Sequence, residues 1–369
     1  MPRSKFGPAT ASIAGNETAG PENVTSAPGH EACGKIRPAS TPPTPAARMH
    51  ASSPSPRSAP ERWHAPPLVK ASVACHVGAA VVVAAQPALW PWALGTVALD
   101  HALIIATGLW PRSTWLGSNW RRLPAASAAR GEVSITIDDG PDPHVTPAVL
   151  DLLDAHQARA TFFCIAAHAQ AHPQLCREIV RRGHSVQNHS QHHSHSFSVL
   201  GPRALAREVG QAQDTLAGIT GEAPRFFRAP AGLRNLFLAP VLQRLDLQLV
   251  SWTRRGFDTA RRDPAGVLAR LTHRLAAGDI LLLHDGHAAR ATSGRPVVLE
   301  VLPGLLQRLD QAGLRTVTLP RAMQAEAHGT TNALAEARGT TTAQAEAGES
   351  TNAQAGARGT TTAQAGARA

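Results

Sequence analysis

Hydrophobic and polar positions divide this chain into two regimes. Between residues 68 and 110 apolar side chains are nearly continuous, whereas from about 131 to 320 short apolar runs alternate with segments of helical period. The first regime breaks near Gln86 and Pro87 into two runs, each close to the ~20 residues that span a hydrocarbon core. Trp90, Trp92 and Trp110 stand at the ends of these runs, where interfacial aromatics are expected. Asp100 counts against the second span, because a carboxylate at mid-membrane costs about 2.5–3.5 kcal/mol on insertion scales. The expectation is a hydrophobic helical region over 68–124 that enters a membrane through one or both runs. The alternative is a helical hairpin buried against the domain that follows. The run begins too far along the chain for an ordinary cleavable signal peptide, unless translation starts nearer residue 69.

In the second regime, β-rich runs fall at 132–137, 160–165, 184–188, 225–229, 247–252, 279–284 and 315–319. Amphipathic stretches at 146–156, 202–219 and 264–276 lie between them. Strands alternating with helices predict an α/β fold with a parallel sheet. About seven such units predict a (β/α) barrel, closed or nearly closed, over 125–325. In that architecture the working residues sit at the C-terminal ends of strands.

Those ends collect the chemistry. The first strand ends at Asp138, Asp139 and Gly140, and the third runs into Asn188, His189, Ser190, Gln191, His192 and His193. The fourth ends at Arg228, Ala229 and Pro230, and the sixth at His284 and Asp285. Singly, each has a plain explanation: two acids before glycine make a polar turn, and a histidine-rich stretch makes a solvated loop. Together they converge on one end of the barrel. His189 and His193 lie on one face if that segment is helical. Two histidines and a carboxylate are a common protein ligand set for catalytic Zn²⁺, leaving a position for water.

The motifs TIDDGPD, NHSQHH, FFRAPAG, the 252–258 segment and LLLHD follow one another as do the five motifs of the NodB-homology polysaccharide deacetylases, carbohydrate esterase family four. The chain resembles that family over about residues 130–320. The resemblance implies a distorted (β/α) barrel and hydrolysis of N- or O-acetyl groups on sugars. Transferred position by position, it makes Asp138 the general base, Asp139, His189 and His193 the metal ligands, and His284 the general acid. Arg228 would orient Asp138, and Asp258 would pair with His284. The implied cofactor is a divalent metal, Zn²⁺ first, with Co²⁺, Ni²⁺ and Mn²⁺ as other candidates.

These roles agree with the chemistry. An amide carbonyl is a poor electrophile and needs polarisation, a readied water and a stabilised oxyanion. A guanidinium beside Asp138 favours its charged form, and a histidine held by a carboxylate is suited to protonating an amine. Leu282 is expected to line an apolar wall for the acetyl methyl, or else to be an ordinary strand-core leucine. Ala231 stands where the family usually has an aromatic residue, so only its backbone N–H could serve the substrate, and Thr259 stands where many members carry Trp. The sugar-stacking surface therefore differs from the family pattern.

Composition changes the picture at the ends of the chain. Residues 1–67 are rich in Pro, Ser, Ala and Thr without apolar periodicity, a composition that predicts disorder. Residues 326–369 carry a ten-residue repeat, beginning HGTTNALAEA, whose small side chains predict a low-complexity tail without a core. The net charge of +10 comes overwhelmingly from scattered arginines, with Lys only at positions 5, 35 and 70, and no nucleic-acid motif accompanies it. No nucleic-acid partner is expected. Cys33, Cys75, Cys164 and Cys176 show neither a disulfide framework nor a zinc-ribbon spacing.

The leading expectation is an enzyme that removes N-acetyl groups from N-acetylglucosamine-containing oligo- or polysaccharide. A deacylase or deformylase of a lipid-linked sugar uses the same machinery beside a membrane. A saccharide-binding module that has lost catalysis is the reading from a different class. The expected location is a membrane, the bacterial inner membrane, with the side of the barrel left open. Basic residues flank the apolar region on both sides, so a two-span hairpin would keep both ends in the cytoplasm, whereas a single span would send the barrel across.

Overall fold

The computed structural model describes residues 63–324. The repeat tail and all but the last residues of the expected disordered segment lie outside the described residues.

The apolar regime forms two helices, Pro67–Ala85 and Trp90–Gly108, joined by a 3-10 turn at Pro87–Leu89. Pro87 cannot continue the first helix, because it lacks the N–H that the helix would use. Each helix has 19 residues, which at about 1.5 Å per residue is about 28 Å, close to a hydrocarbon core. Mean hydropathy is 1.9 over Pro67–Ala85 and 1.4 over Pro87–Gly108, and only 6% of each apolar window is buried. Val73, Val77, Val81, Leu94, Leu99 and Ile105 all stand more than half exposed. That exposure runs against the buried-hairpin alternative. Asp100 faces the other helix, where Ser72 Oγ donates to its Oδ2 at 2.6 Å. Ser72 thus gives this carboxylate a polar partner within the hairpin.

The second regime folds as expected into parallel strands with helices outside. The strands are β1 (Glu132–Asp138), β2 (Ala160–Cys164), β3 (Ser185–Asn188), β4 (Phe226–Phe227), β5 (Gln248–Leu249), β6 (Arg254–Arg255), β7 (Ile280–His284) and β8 (Arg315–Thr316). They are ordered β5-β4-β3-β2-β1-β7-β6, with β8 pairing β1 at its start. The run expected as one strand at 247–252 is interrupted. Its beginning pairs with β4 as β5, and after residues 250–253 the chain pairs with β7 as β6. One continuous stretch thus supplies both edges of the sheet and curls it into a barrel.

Strand alternation sorts the side chains. In β1, Val133, Ile135 and Ile137 point outward into the main apolar core, where Val149, Leu150 and Leu153 from the helix Thr146–Ala155 meet them. Fully burying each such side chain stabilises the fold by about 1.5–3 kcal/mol. The intervening residues share the opposite face, where Thr136 Oγ1 donates to the Leu281 carbonyl. In β7, Leu281 and Leu283 join the outer core, while Ile280 and Leu282 belong to an inner cluster with Phe163, Phe226 and Trp252. The β1–β7 register sets Thr136 beside Leu282 and Asp138 beside His284. Period two thereby delivers Asp138, Leu282 and His284 to the same inner face.

The segment before β1 belongs to the barrel. Trp120 N–H donates to the Leu249 carbonyl, Ser251 N–H donates to the Trp120 carbonyl, and Leu123 N–H donates to the Gly278 carbonyl. The border expected at 124–125 therefore falls within chain that is hydrogen-bonded to the sheet.

Candidate active site

Among the described residues two groups bring three metal-capable side chains together: His76, Asp100 and His101 in the hairpin, and Asp139, His189 and His193 at the strand ends. Only the second is surrounded by acid and base groups.

Asp138 and Asp139 are neighbours, and on a regular strand they would face opposite ways. Asp139 has φ 74°, which breaks the alternation and lets both carboxylates line one cleft. His189 and His193 are gathered by a loop and not by the helix that their spacing allowed. Ser190 and His193 adopt positive φ (68° and 53°), Asn188 Oδ1 accepts from Ser190 N–H at 2.9 Å, and Ser190 Oγ accepts from His193 N–H at 3.0 Å. These side-chain-to-backbone bonds offer the chain an alternative to a helix. The two imidazole centroids are 4.8 Å apart.

The donor set fits a metal. Asp139 Oδ1 lies 3.2 Å from His189 Nε2 and 3.3 Å from His193 Nε2. His189 Nδ1 must donate to the Arg228 carbonyl at 2.8 Å, which fixes the tautomer and leaves Nε2 with a free lone pair. Burial works against ionisation of Asp139, but the imidazoles of His189 and His287 beside it outweigh burial and hold its pKa below the ordinary carboxylate range. Burial, reinforced by the neighbouring His189, lowers His193 to about 4, so its imidazole is neutral at pH 7. A carboxylate and two neutral imidazoles are the protonation states that ligation requires.

Asp138 and His284 flank this triad, each with its own partner. Arg228 is wholly buried and donates from Nη1 to Asp138 Oδ1 at 2.6 Å and to Thr136 Oγ1 at 2.8 Å. Its Nη2 donates to the Ser251 carbonyl at 2.9 Å, and its guanidinium carbon lies 4.2 Å from the Phe163 ring centroid. His284 donates from Nδ1 to Asp258 Oδ1 at 2.9 Å, and its backbone N–H donates to Asp258 Oδ2 at 2.8 Å. Burial pulls the His284 pKa down, but Asp258 more than reverses this and sets it above the ordinary imidazole value.

The cleft is a cavity of about 780 Å³. Leu282 lines it while also belonging to the inner cluster, so both expectations for that residue meet. Ala231 is exposed at the rim with φ 53° and offers no side chain for stacking, and Thr259 lines the opposite part. Three contributors had no place in the sequence reading. His287 Nδ1 sits 3.5 Å from Asp139 Oδ2, His168 Nδ1 donates to the Asp139 carbonyl at 3.0 Å, and Arg255 enters the cleft beside Trp252. Only the abundance of histidine near the motifs hinted at the first two.

A family model described as polysaccharide deacetylase matches residues 125–250. A chitooligosaccharide deacetylase of Sinorhizobium fredii is 33% identical over 207 residues, which are 54% of this chain and 96% of that protein. A peptidoglycan-N-acetylglucosamine deacetylase of Bacillus cereus is 31% identical over 194 residues, 52% of this chain and 88% of that protein. Among solved structures, the Bc1960 peptidoglycan N-acetylglucosamine deacetylase superposes with a TM-score of 0.50 at 24% identity, covering 55% of this chain and 92% of its own. BA3943, a family pseudoenzyme from Bacillus anthracis, superposes equally well (TM-score 0.50, 20% identity, 56% and 68% covered), so the shared fold alone carries no activity. What separates this chain from a bare fold is its near full-length match to the Sinorhizobium protein at a third of positions, with the five motifs ending on one cleft. On that ground the chain belongs to the polysaccharide deacetylase family.

Proposed function

We propose that this protein is a metal-dependent hydrolase that removes N-acetyl groups from N-acetylglucosamine-containing saccharides. The observation that carries the reading is the pairing on either side of the triad: Arg228 with Asp138, and Asp258 with His284. Asp139, His189 and His193 would hold the metal, and a set of borderline nitrogens and one oxygen without thiolate favours Zn²⁺, with Co²⁺, Ni²⁺ and Mn²⁺ as the other candidates. When bound, the metal supplies Lewis acidity to the acyl oxygen and the attacking water.

The side chains do the rest. Asp138 takes the proton from the water as it adds to the carbonyl carbon, and Arg228 keeps that carboxylate aimed. His284 gives its proton to the amine nitrogen as the C–N bond breaks, and Asp258 keeps the imidazole oriented and supplied with a proton. Leu282 offers the acetyl methyl an apolar wall. Ala231 leaves its rim open for a substituent that an aromatic ring would exclude.

The two exposed apolar helices anchor the domain in the bacterial inner membrane. A two-span hairpin would keep residue 63 and the barrel on one side, and Lys70, Arg112, Arg121 and Arg122 support the cytoplasm as that side by the positive-inside rule. Retention of every acid, base and ligand argues against the non-catalytic module. The test is acetate release from N-acetylated chitooligosaccharide by the full chain in detergent. Activity should be lost on chelation and restored by Zn²⁺. Saccharide binding without any acetate release under loaded conditions would overturn the proposal.

A further inference from the structure

A second cavity, of about 880 Å³, opens beside the cleft and shares Trp252 and Arg255 with it. Its lining is cationic: Arg112, Arg254, Arg255, Arg261, Arg270 and His273 face it, and among the described residues no carboxylate does. Arg254 is satisfied by Asp279, Nε to Oδ2 at 3.0 Å. Among the described residues, the side chains of Arg112, Arg261 and Arg270 make neither an ion pair nor a hydrogen bond. Arg255 lies against two rings, 5.2 Å from the Trp252 centroid and 4.9 Å from that of Phe257, and its buried Nε has no hydrogen-bond partner. Four guanidinium groups around one space repel one another unless an anion joins them. Their forked donors match phosphate oxygens.

The position of the cavity says where that anion comes from. Trp110 and Arg112 line it, and they directly follow the apolar helix Trp90–Gly108. The helix end is fixed to the cleft: the Gly108 carbonyl accepts from Arg234 N–H at 3.1 Å, and a Cβ on Gly232 would meet both Pro111 and Trp252 at 2.7 Å. Trp110 is 56% exposed and Phe257 43%, an apolar lip on a cationic hollow. A membrane-embedded chain with a diphosphate head would lay its anion among these arginines, with the sugar beyond Trp252 and Arg255 in the cleft.

We infer that the second cavity binds the diphosphate of a lipid-linked N-acylated sugar, and that this is the substrate deacylated at Asp138 and His284. The inference rests on the deacetylase reading and narrows its substrate. A free sugar phosphate offers the same anion without the lipid, so the test separates the two sources.

The experiment measures equilibrium binding of geranylgeranyl diphosphate, inorganic pyrophosphate and geranylgeraniol to the full chain in nanodiscs. Geranylgeranyl diphosphate should bind at least tenfold more tightly than either part alone, and the Arg261→Ala/Arg270→Ala double variant should lose at least tenfold of that affinity. Arg207→Ala, an exposed arginine outside both cavities, controls for lost charge and should bind as the parent does. In parallel, acetate release is compared between N-acetylglucosaminyl diphosphoryl-prenol and a chitooligosaccharide, and the former should have at least a tenfold higher kcat/KM. Pyrophosphate binding as tightly as the lipid diphosphate would overturn the lipid source, and unchanged binding in the double variant would overturn the pocket. Acetate release from the chitooligosaccharide with no preference for the lipid substrate overturns the inference and leaves the deacetylase reading standing. Tight, arginine-dependent lipid diphosphate binding with no acetate released from any substrate supports the pocket and sinks the deacetylase reading instead.

Discussion

Arg228 and Asp138 form a buried ion pair, Nη1 to Oδ1 at 2.6 Å, in which the arginine is 0% and the aspartate 3% exposed. Removing one partner of such a pair strands the other charge and costs about 3–5 kcal/mol. Arg228→Met should therefore lower the melting temperature markedly. Arg228→Lys keeps the charge but cannot reach Asp138, Thr136 and the Ser251 carbonyl in one plane. It should remain folded by circular dichroism while losing about 10²-fold or more in kcat, the scale of a lost general base.

The ligand and base functions of the paired acids should separate. His189→Ala and His193→Ala should each abolish stoichiometric metal, as measured by elemental analysis of the purified protein. Asp138→Asn removes the proton acceptor while leaving Asp139 and both histidines in place. It should retain one equivalent of metal and lose about 10²–10⁴-fold in rate. Metal lost in Asp138→Asn, or kept in both histidine variants, would reverse the assignment.

With His284 as the proposed acid, the alkaline limb of the rate profile should follow its pKa. Its burial disfavours the imidazolium, but Asp258 prevails and the folded pKa is raised. The acid form, and the stability that the pair contributes, are thus fully present below the unfolded imidazole value of about 6.5 and are lost as pH rises through the higher folded value. Asp258→Asn should move the alkaline limb toward lower pH. His284→Ala should slow amide hydrolysis more than ester hydrolysis, since an alkoxide leaves with less help from a proton. Equal losses on the two substrates would argue against the assigned acid.

Asp285 gives a separate pH signal in stability. Burial lifts its pKa to about 7, against the opposing hydrogen bonds from Thr146 Oγ1 and Gly286 N–H. A carboxyl raised on folding binds its proton more tightly in the native state, so its cost is absent at low pH and grows as pH rises from the unfolded value towards 7. Asp285→Asn should therefore raise the melting temperature more at pH 8 than at pH 5. A uniform shift at both pH values would show that Asp285 is not protonated in the native state.

Much of this was legible because it is written in short periods. Val133, Ile135 and Ile137 alternate with Thr136 and Asp138 on the sequence as they do in the barrel wall, and the motifs mark strand ends. The loop through His189 and His193 was not legible, since i, i+4 spacing suits a helix equally well. Two left-handed residues and bonds to Asn188 and Ser190 decide it, and no periodicity encodes them. The split of 247–252 was hidden for a similar reason. Its beginning belongs to one edge of the curled sheet, and the chain reaches the other edge only at Arg254 and Arg255, beyond the apolar run. Arg255 and the unpaired arginines near it read as scattered charge because they come from the loop after Gly108, from β6, from the loop that follows β6 and from the helix Pro264–Thr272.

Residues 250–253 join the two edges of the barrel and also supply the Val250 and Ser251 carbonyls that accept from Arg228. The seam and the clamp on the proposed base are thus one piece of backbone. If that seam parts, the guanidinium loses its acceptors at the same moment, and Asp138 loses its aim. Local opening of this barrel should therefore silence the enzyme rather than loosen its selectivity.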